Sequence, residues 1–136
     1  MTTPILSAQP LVDAVVAKVQ ARGVPFGDGK VPTRDGTKPW IVGWFDSGTA
    51  DDDSLLGDDG WYIDLTAHCL GLSAEAARVA AAHLTIALRE LYGTTVAGRV
   101  VHRPEQLTTL PVARDDTQNP AQWDAVVEWR LRTSAA

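Results

Sequence analysis

The feature of the sequence that most restricts the fold is a strand pattern followed at once by a helix pattern, in GWYIDLTAHCLGLSAEAARVAAAHLTIALRELYG. Apolar and polar side chains alternate over residues 61–69, which is typical of a strand with one buried face. Ser73 and Glu75 then favour a helix start, because serine caps free backbone N–H groups and an acid suits the positive end of the helix dipole. Two elements that each bury one face predict a layer of helix on sheet.

Two helices are predicted. The first covers residues 9–22, where Pro10 suits the first turn and Gly23 suits the end, and its apolar face is Val12, Val15, Val16 and Val19. The second begins after Ser73 and closes at Gly93. Its buried stripe is predicted to contain Ala77, Ala80, Ala81, Leu84, Leu88 and Leu91.

The remaining segments predict strands and loops. The Gly/Pro-rich stretch 23–39 predicts only loop and turn. Residues 40–46 are apolar on both faces and predict a buried strand, paired antiparallel with the strand at 61–69. In residues 123–132 apolar and polar side chains alternate, which predicts an antiparallel strand with one solvent-exposed face. Residues 94–122 are irregular apart from a short apolar piece. The predicted strands carry all five tryptophans, interpreted as packing residues: Trp40, Trp44, Trp61, Trp123 and Trp129.

These elements give the order α-β-β-α-(β)-β. The fold class predicted is α+β, with a small antiparallel sheet and two helices packed on one face. The 136 residues suit one domain, 1–136, with flexible termini expected at 1–8 and 133–136. Apolar residues make up 45% of the chain, which is enough to build a core, and no run approaches the roughly 18 apolar residues of a membrane span.

Charge excludes one class of function and marks one loop. The formal net charge of −5 argues against a general nucleic-acid binder held by phosphate contacts. Residues 46–59 contain six acids and no base, which leaves 17 − 6 = 11 acids against 12 bases elsewhere. The acidic loop, 46–60, is interpreted as a solvated loop, a loop that faces a partner or a channel, or a weak divalent-cation site. An EF-hand is not supported, because Leu55 and Leu56 stand where ligand and glycine are needed.

The sequence contains few residues in an arrangement that catalysis would need. Cys69 falls on the apolar face of its strand, so we expect a buried packing residue with a raised pKa rather than a nucleophile. A lone cysteine also forms no internal disulfide. His68, His83 and His102 lack the spacing of a ligand set or a triad, and no phosphate-binding or hydrolase motif occurs. We therefore predict no catalytic residues, no metal and no cofactor.

Several short motifs follow one another in a recognisable order. They are VPTRDGTKPWIVGW, TAHCLG, SAEAAR, YGTTVAGR, the pattern RDDxxxPxxWxA and a closing WRL. In order and spacing they resemble the tail terminator or head-to-tail connector proteins of tailed bacteriophages of actinobacteria. The resemblance spans roughly residues 10–133, and departs from the expected pattern at Trp44, at Trp129 and in the Asp-rich loop.

The resemblance implies a non-enzymatic virion protein. A tail terminator forms a ring, usually a hexamer, which stops polymerisation of the tail tube and joins the tail to the head-completion proteins. The implied partners are further copies of the chain, the major tail tube protein and a head-completion or stopper protein, with DNA passing through without sequence-specific binding and no membrane. The implied location is the virion tail or neck, with assembly in the host cytoplasm. A stopper or connector of the neck, and a cytoplasmic binding module or small enzyme unrelated to phage, remain alternatives.

A ring of this kind needs two different contact patches on each subunit. We expect the acidic loop and the polar stretch 103–121 to contact neighbours or line the channel. An acidic channel would repel DNA phosphates. The residues expected to make these contacts are Asp46, Asp51, Asp52, Asp53, Asp58, Asp59, Arg103, Arg114, Asp115 and Asp116. Five arginines have two interpretations: they pair with acids of an adjacent subunit, or they are ordinary solvated charges. They are Arg99, Arg103, Arg114, Arg130 and Arg132.

Overall fold

The computed structural model describes residues 7–34, 36, 38–50 and 60–136. These residues form two helices, α1 (Gln9–Ala21) and α2 (Ala74–Leu91), and nine strands in one mixed sheet. The predicted α+β class is confirmed, although the sheet is larger than expected. The strands are β1 (Phe26–Asp28), β2 (Trp40–Phe45), β3 (Thr49–Ala50), β4 (Trp61–Gly71), β5 (Thr95–Val96), β6 (Arg99–Val101), β7 (Glu105–Thr109), β8 (Ala113–Asp115) and β9 (Gln122–Ala135).

The long strands β4 and β9 form the centre of the sheet. They pair antiparallel without a break from Trp61 opposite Thr133 to Gly71 opposite Trp123. β2 pairs antiparallel with the other edge of β4, as predicted. The two-residue strand β3 pairs with the same edge of β4 further along, at Trp61 and Tyr62.

The edge of β9 that faces away from β4 pairs in succession with β6, β7 and β8. Residues 99–115 therefore form one interrupted antiparallel partner of β9, and β5 extends the sheet beyond β6. The register shifts between Gln106 and Thr108. The sequence predicts irregular structure here because these strands are short, and the side chains of β7 are all exposed. Backbone pairing, which leaves no pattern of apolar side chains, places the segment in the sheet.

One face of the sheet forms the core with the two helices. α2 lies against β4 and β9, and α1 packs on α2 and β1. The predicted alternation is confirmed, because every second residue of each central strand is buried on this face. The buried set is Ile63, Leu65, Ala67 and Cys69 of β4 and Ala125, Val127, Trp129 and Leu131 of β9.

The helix predictions agree closely with the structure. The Ser73 hydroxyl accepts a hydrogen bond of 3.0 Å from the Ala76 N–H and caps α2. The buried stripe matches except that Ala87 is buried and Ala81 is only half-buried. Gly23 follows α1 with a φ of +82°, a left-handed conformation in which glycine is not strained.

One prediction at the border of the fold is wrong. The stretch 23–39 contains β1, which pairs parallel with β2. Phe26 is buried there with its ring centroid 6.0 Å from that of Phe45, so core packing holds a strand where glycines and prolines predict a loop. At the C-terminus, β9 continues through residues 133–135, and the Ala136 N–H donates to the Gly98 carbonyl.

The tryptophans all lie on strands, as predicted, but their burial differs. Trp40 is buried, and the Arg34 guanidinium lies 3.9 Å from the centre of its ring. Trp44 is 54% exposed, so the expectation that β2 is buried on both faces fails at this end of the strand. The acidic residues Asp51, Asp52, Asp53, Asp58 and Asp59 lie outside the described residues.

Burial in this core raises the pKa of Cys69 to about 12, and the negative charge of Asp124 adds to the effect. We expect the thiol to react with a thiol reagent at pH 8 only when the chain unfolds, at least about a thousand-fold more slowly than in denatured protein. Because the folded pKa is raised, the contribution of the thiol to stability is complete below pH 9 and is lost as the pH rises towards 12. Labelling kinetics and unfolding at several pH values measure both effects.

The matched control is Ala50→Cys in a Cys69→Ser chain, which places a thiol on an exposed strand residue. That thiol should react at the rate of a free cysteine. Equal labelling rates for Cys69 and for the control would contradict the burial of this face.

Candidate functional site

The face of the sheet that points away from the helices carries most of the polar side chains of the central strands. We call it the open face. In the part of the chain that the structure describes, both helices lie on the other side, and the residues of the open face are half-buried. It contains Tyr62, Asp64, Thr66, His68 and Leu70 of β4 and Asp124, Val126, Glu128, Arg130 and Arg132 of β9.

Asp64 and Arg130 form the strongest ion pair of the open face. They stand directly opposite each other in the β4–β9 register, and the guanidinium donates two hydrogen bonds, of 2.8 and 3.0 Å, to the two carboxylate oxygens. Arg130 also lies 4.2 Å from the ring centre of Tyr62. The hydrogen bonds to Asp64 raise the pKa of Arg130 further above its usual range. This bidentate geometry restricts the orientation of both side chains.

Other arginines that the sequence offers for contacts between subunits have partners within the chain. Arg132 reaches Glu105 of β7 at 3.6 Å. Arg114 pairs with Asp116 at 2.6 Å, and Arg99 donates to the hydroxyl and carbonyl oxygens of Thr133. Strand register places Arg132 near Glu105 and Arg99 near Thr133. Arg114 and Asp116 are instead two residues apart on the same segment.

The predicted contact residues that the structure describes lie at two opposite edges of the sheet. Asp46 follows β2, on the β4 side, and its carboxylate accepts from the N–H groups of Gly48 and Asp64. Arg103, Arg114, Asp115 and Asp116 lie beyond β9 on the other side. The two segments predicted to contact neighbours therefore belong to different edges of the sheet, and the contacts themselves stay a prediction.

The turn that follows β8 is held by one aspartate. Asp115 accepts hydrogen bonds from the hydroxyl and the N–H of Thr117, and these bonds lower its pKa. The backbone then crosses a cis peptide bond at Asn119–Pro120 before β9 begins. Arg103 precedes β7 and Asp116 follows β8, and both side chains are exposed.

The three histidines lie in separate places. His68 pairs with Asp124 at 2.7 Å on the open face, while Nδ1 of His83 accepts from Arg22 and His102 bonds to Ser134. Among the described residues, no three His, Cys, Asp or Glu side chains are grouped as a metal site would require. Nor does a helix in the described ranges combine the length and apolar character that crossing a bilayer demands.

Two open grooves flank the ends of α1. One, of about 470 Å³, lies at its C-terminal end and is lined by Gln20, Val24 and Lys30 among others. The second, of about 570 Å³, lies at its N-terminal end beside Asp28 and Asp46. Neither groove is lined by a histidine or by Cys69.

Sequence reasoning missed β7, a fully exposed strand at the edge of the sheet. All five of its side chains are exposed, and in the described residues only β9 pairs with it. Leu107 and Leu110 are large apolar residues left in solvent at this edge. The available signal was the segment QLTTL, whose threonines favour strands although it lacks a buried alternation.

Comparison with known proteins gives a match in structure alone. The sequence matches no known family profile and no curated protein. The fold is similar to that of a chain from the virion of a native gene transfer agent particle, with a TM-score of 0.64 and 16% sequence identity. The match covers 97% of this chain and 100% of the other. At this identity the two chains share a fold, and function remains to be argued separately.

The Asp64–Arg130 pair should contribute about 1 kcal/mol to stability, at the upper end for a partly exposed pair because it is bidentate. A double-mutant cycle with Asp64→Ala and Arg130→Ala, followed by urea unfolding, measures this coupling. Arg130→Lys should lose a large part of it, because lysine cannot donate two parallel hydrogen bonds. The exposed pair Arg114–Asp116 is the control, and equal coupling in the two cycles would contradict a special role for the open-face pair.

Proposed function

We propose that the chain is a structural protein of a tailed phage or phage-like virion. The observation that carries this proposal is the fold shared, over nearly the whole of both chains, with a component of the gene transfer agent virion. The motif order described above supports the same class. The proposal needs no bound cofactor and assigns no reaction to the chain.

Within that class we propose a tail terminator. Such a protein forms a ring, of six subunits by resemblance, that ends the tail tube and joins the tail to head-completion proteins. A ring requires each subunit to present two different patches. Support comes from the two segments named above, which belong to opposite edges of one sheet: Asp46 near one edge, and Arg103 and Arg114 near the other.

The charge distribution fits a protein through which DNA passes. Residues 46–59 hold six acids and no base, and the rest of the chain is nearly balanced. An acidic lining would repel phosphates and so leave DNA free to slide. A stopper or connector at the neck has the same requirements of size and symmetry, and is the second candidate.

Loss of the gene tests the proposal and separates the two candidates. In a phage whose copy of this gene is interrupted, we expect tails of unregulated length, because polymerisation of the tube is not stopped. Electron microscopy of lysates measures the length distribution. Supply of the intact chain from a plasmid should restore uniform tails.

A stopper predicts a different outcome, namely tails of normal length beside heads that fail to retain DNA or to join. Normal particles at normal titre without the gene product would contradict both phage roles. In that case a binding module outside the virion becomes the better hypothesis.

A further inference from the structure

The C-terminal end of α1 is joined to α2 by one arginine. Arg22 follows α1 directly and donates from Nε to Nδ1 of His83 at 3.0 Å and from Nη1 to the Glu90 carboxylate at 3.3 Å. Arg22 and His83 are half-buried where the two helices pack on each other. We call these three residues the helix clamp.

The bond from Arg22 determines where His83 carries its proton. A guanidinium has five N–H donors and no acceptor, so Nδ1 of His83 must offer a lone pair. The imidazole is therefore neutral, with its proton on Nε2. A protonated imidazole carries an N–H at both nitrogens and accepts from neither. Protonation of His83 thus removes the bond and leaves two positive charges beside each other.

The charged groups around His83 do not compensate for this change. Glu90 attracts an imidazolium, but its carboxylate already bonds to Arg22, and its side chain is 43% exposed, so water weakens the attraction. Lys18, one turn before Arg22 on α1, is half-buried and adds a second positive charge. Residues 79–87 of α2 contain no charged residue.

The sheet beneath α2 contributes one titratable group. On the helix side of β2, β4 and β9, as the structure describes these strands, that group is Cys69. Burial raises the pKa of Cys69 to about 12, so the thiol stays neutral in weak acid. The surroundings of His83 therefore have more positive than negative charge, and the clamp depends on a neutral imidazole.

We infer that Arg22 and His83 form an acid-sensitive contact, which holds the end of α1 on α2 at neutral pH and releases it in weak acid. Histidine is the side chain that ordinarily titrates between about pH 5 and 8. The bonded state excludes a proton from Nδ1, so the contact is complete above this range and is lost as the pH falls through it. The inference is independent of the proposed role in a virion.

Release is local, because the apolar face of α1 does not titrate. Val15 and Val19 are fully buried and keep the helix on the core in acid. The segment that gains freedom is the end of α1 and the turn after it. Gln20 and Val24 of this segment line the groove of about 470 Å³, so acid alters one wall of that groove.

A double-mutant cycle at two pH values tests the inference. Arg22→Ala, His83→Ala and the chain with both changes are unfolded in urea at about pH 7.5 and at about pH 5. We expect a coupling of about three- to ten-fold in the unfolding equilibrium constant at the higher pH, the usual range for one hydrogen bond. At the lower pH the coupling should disappear or change sign. His68 and His102 are present in all four chains, so their titration cancels.

Two controls assign the effect to the imidazole. In a His83→Gln chain the side-chain amide accepts from Arg22 and does not titrate, so Arg22→Ala should have the same effect at both pH values. The coupling between Arg22 and Glu90 should persist at about pH 5, because carboxylates ordinarily remain ionised there. An Arg22–His83 coupling that is equal at the two pH values, or larger in acid, overturns the inference. Circular dichroism of each variant confirms that it folds.

Hydrogen exchange tests whether the release is local. The amides of Arg22 and Gly23 close the last turn of α1, and we expect their protection to fall by about three- to ten-fold in acid, after correction for the intrinsic exchange rate. The His83→Gln chain should show no such fall, and the Leu84 amide of α2 should keep its protection in both chains. An equal loss of protection in both helices would contradict a local release.

Discussion

The antiparallel pairing of β4 with β9 is the interaction on which the rest of the structure depends. It is unbroken from Trp61 opposite Thr133 to Gly71 opposite Trp123. The pairing fixes which side chains of both strands face the helices, since a slip of one residue would reverse every side chain. It therefore places the core on one face and the Asp64–Arg130 pair on the other. β2, β3 and the β6–β8 segment are all held by the outer edges of these two strands.

Because the centre of the sheet is fully paired, the strands of the described residues can pair further only at the margins of the sheet. The arginines of the open face contact side chains of their own chain, which makes this face a poor source of strong contacts between subunits. The edges at β3 and β7 differ, since their backbone groups lack a second strand in the described residues. An assembly built on edges extends the hydrogen bonding that already forms the subunit, and it requires little change of shape.

The sequence predicted the parts of the fold in which side-chain pattern decides the outcome. The alternation in β4, the Ser73 cap and the stripe of α2 all reflect burial on one face, and burial leaves a periodic signal. β1 and β7 left none, because Phe26 is held by contacts distant in sequence and β7 is held by its backbone. The contact residues followed from charge and resemblance, which locate a segment in the sequence but cannot say which edge of the sheet it joins.

The central proposal is that the chain closes a ring at the head-proximal end of a tail. Electron cryomicroscopy of purified particles, at a resolution that traces strands, tests it most directly. The account predicts one closed ring of this fold at the tail end. Particles without this fold, or with copies scattered along the tube or in the capsid, would contradict it.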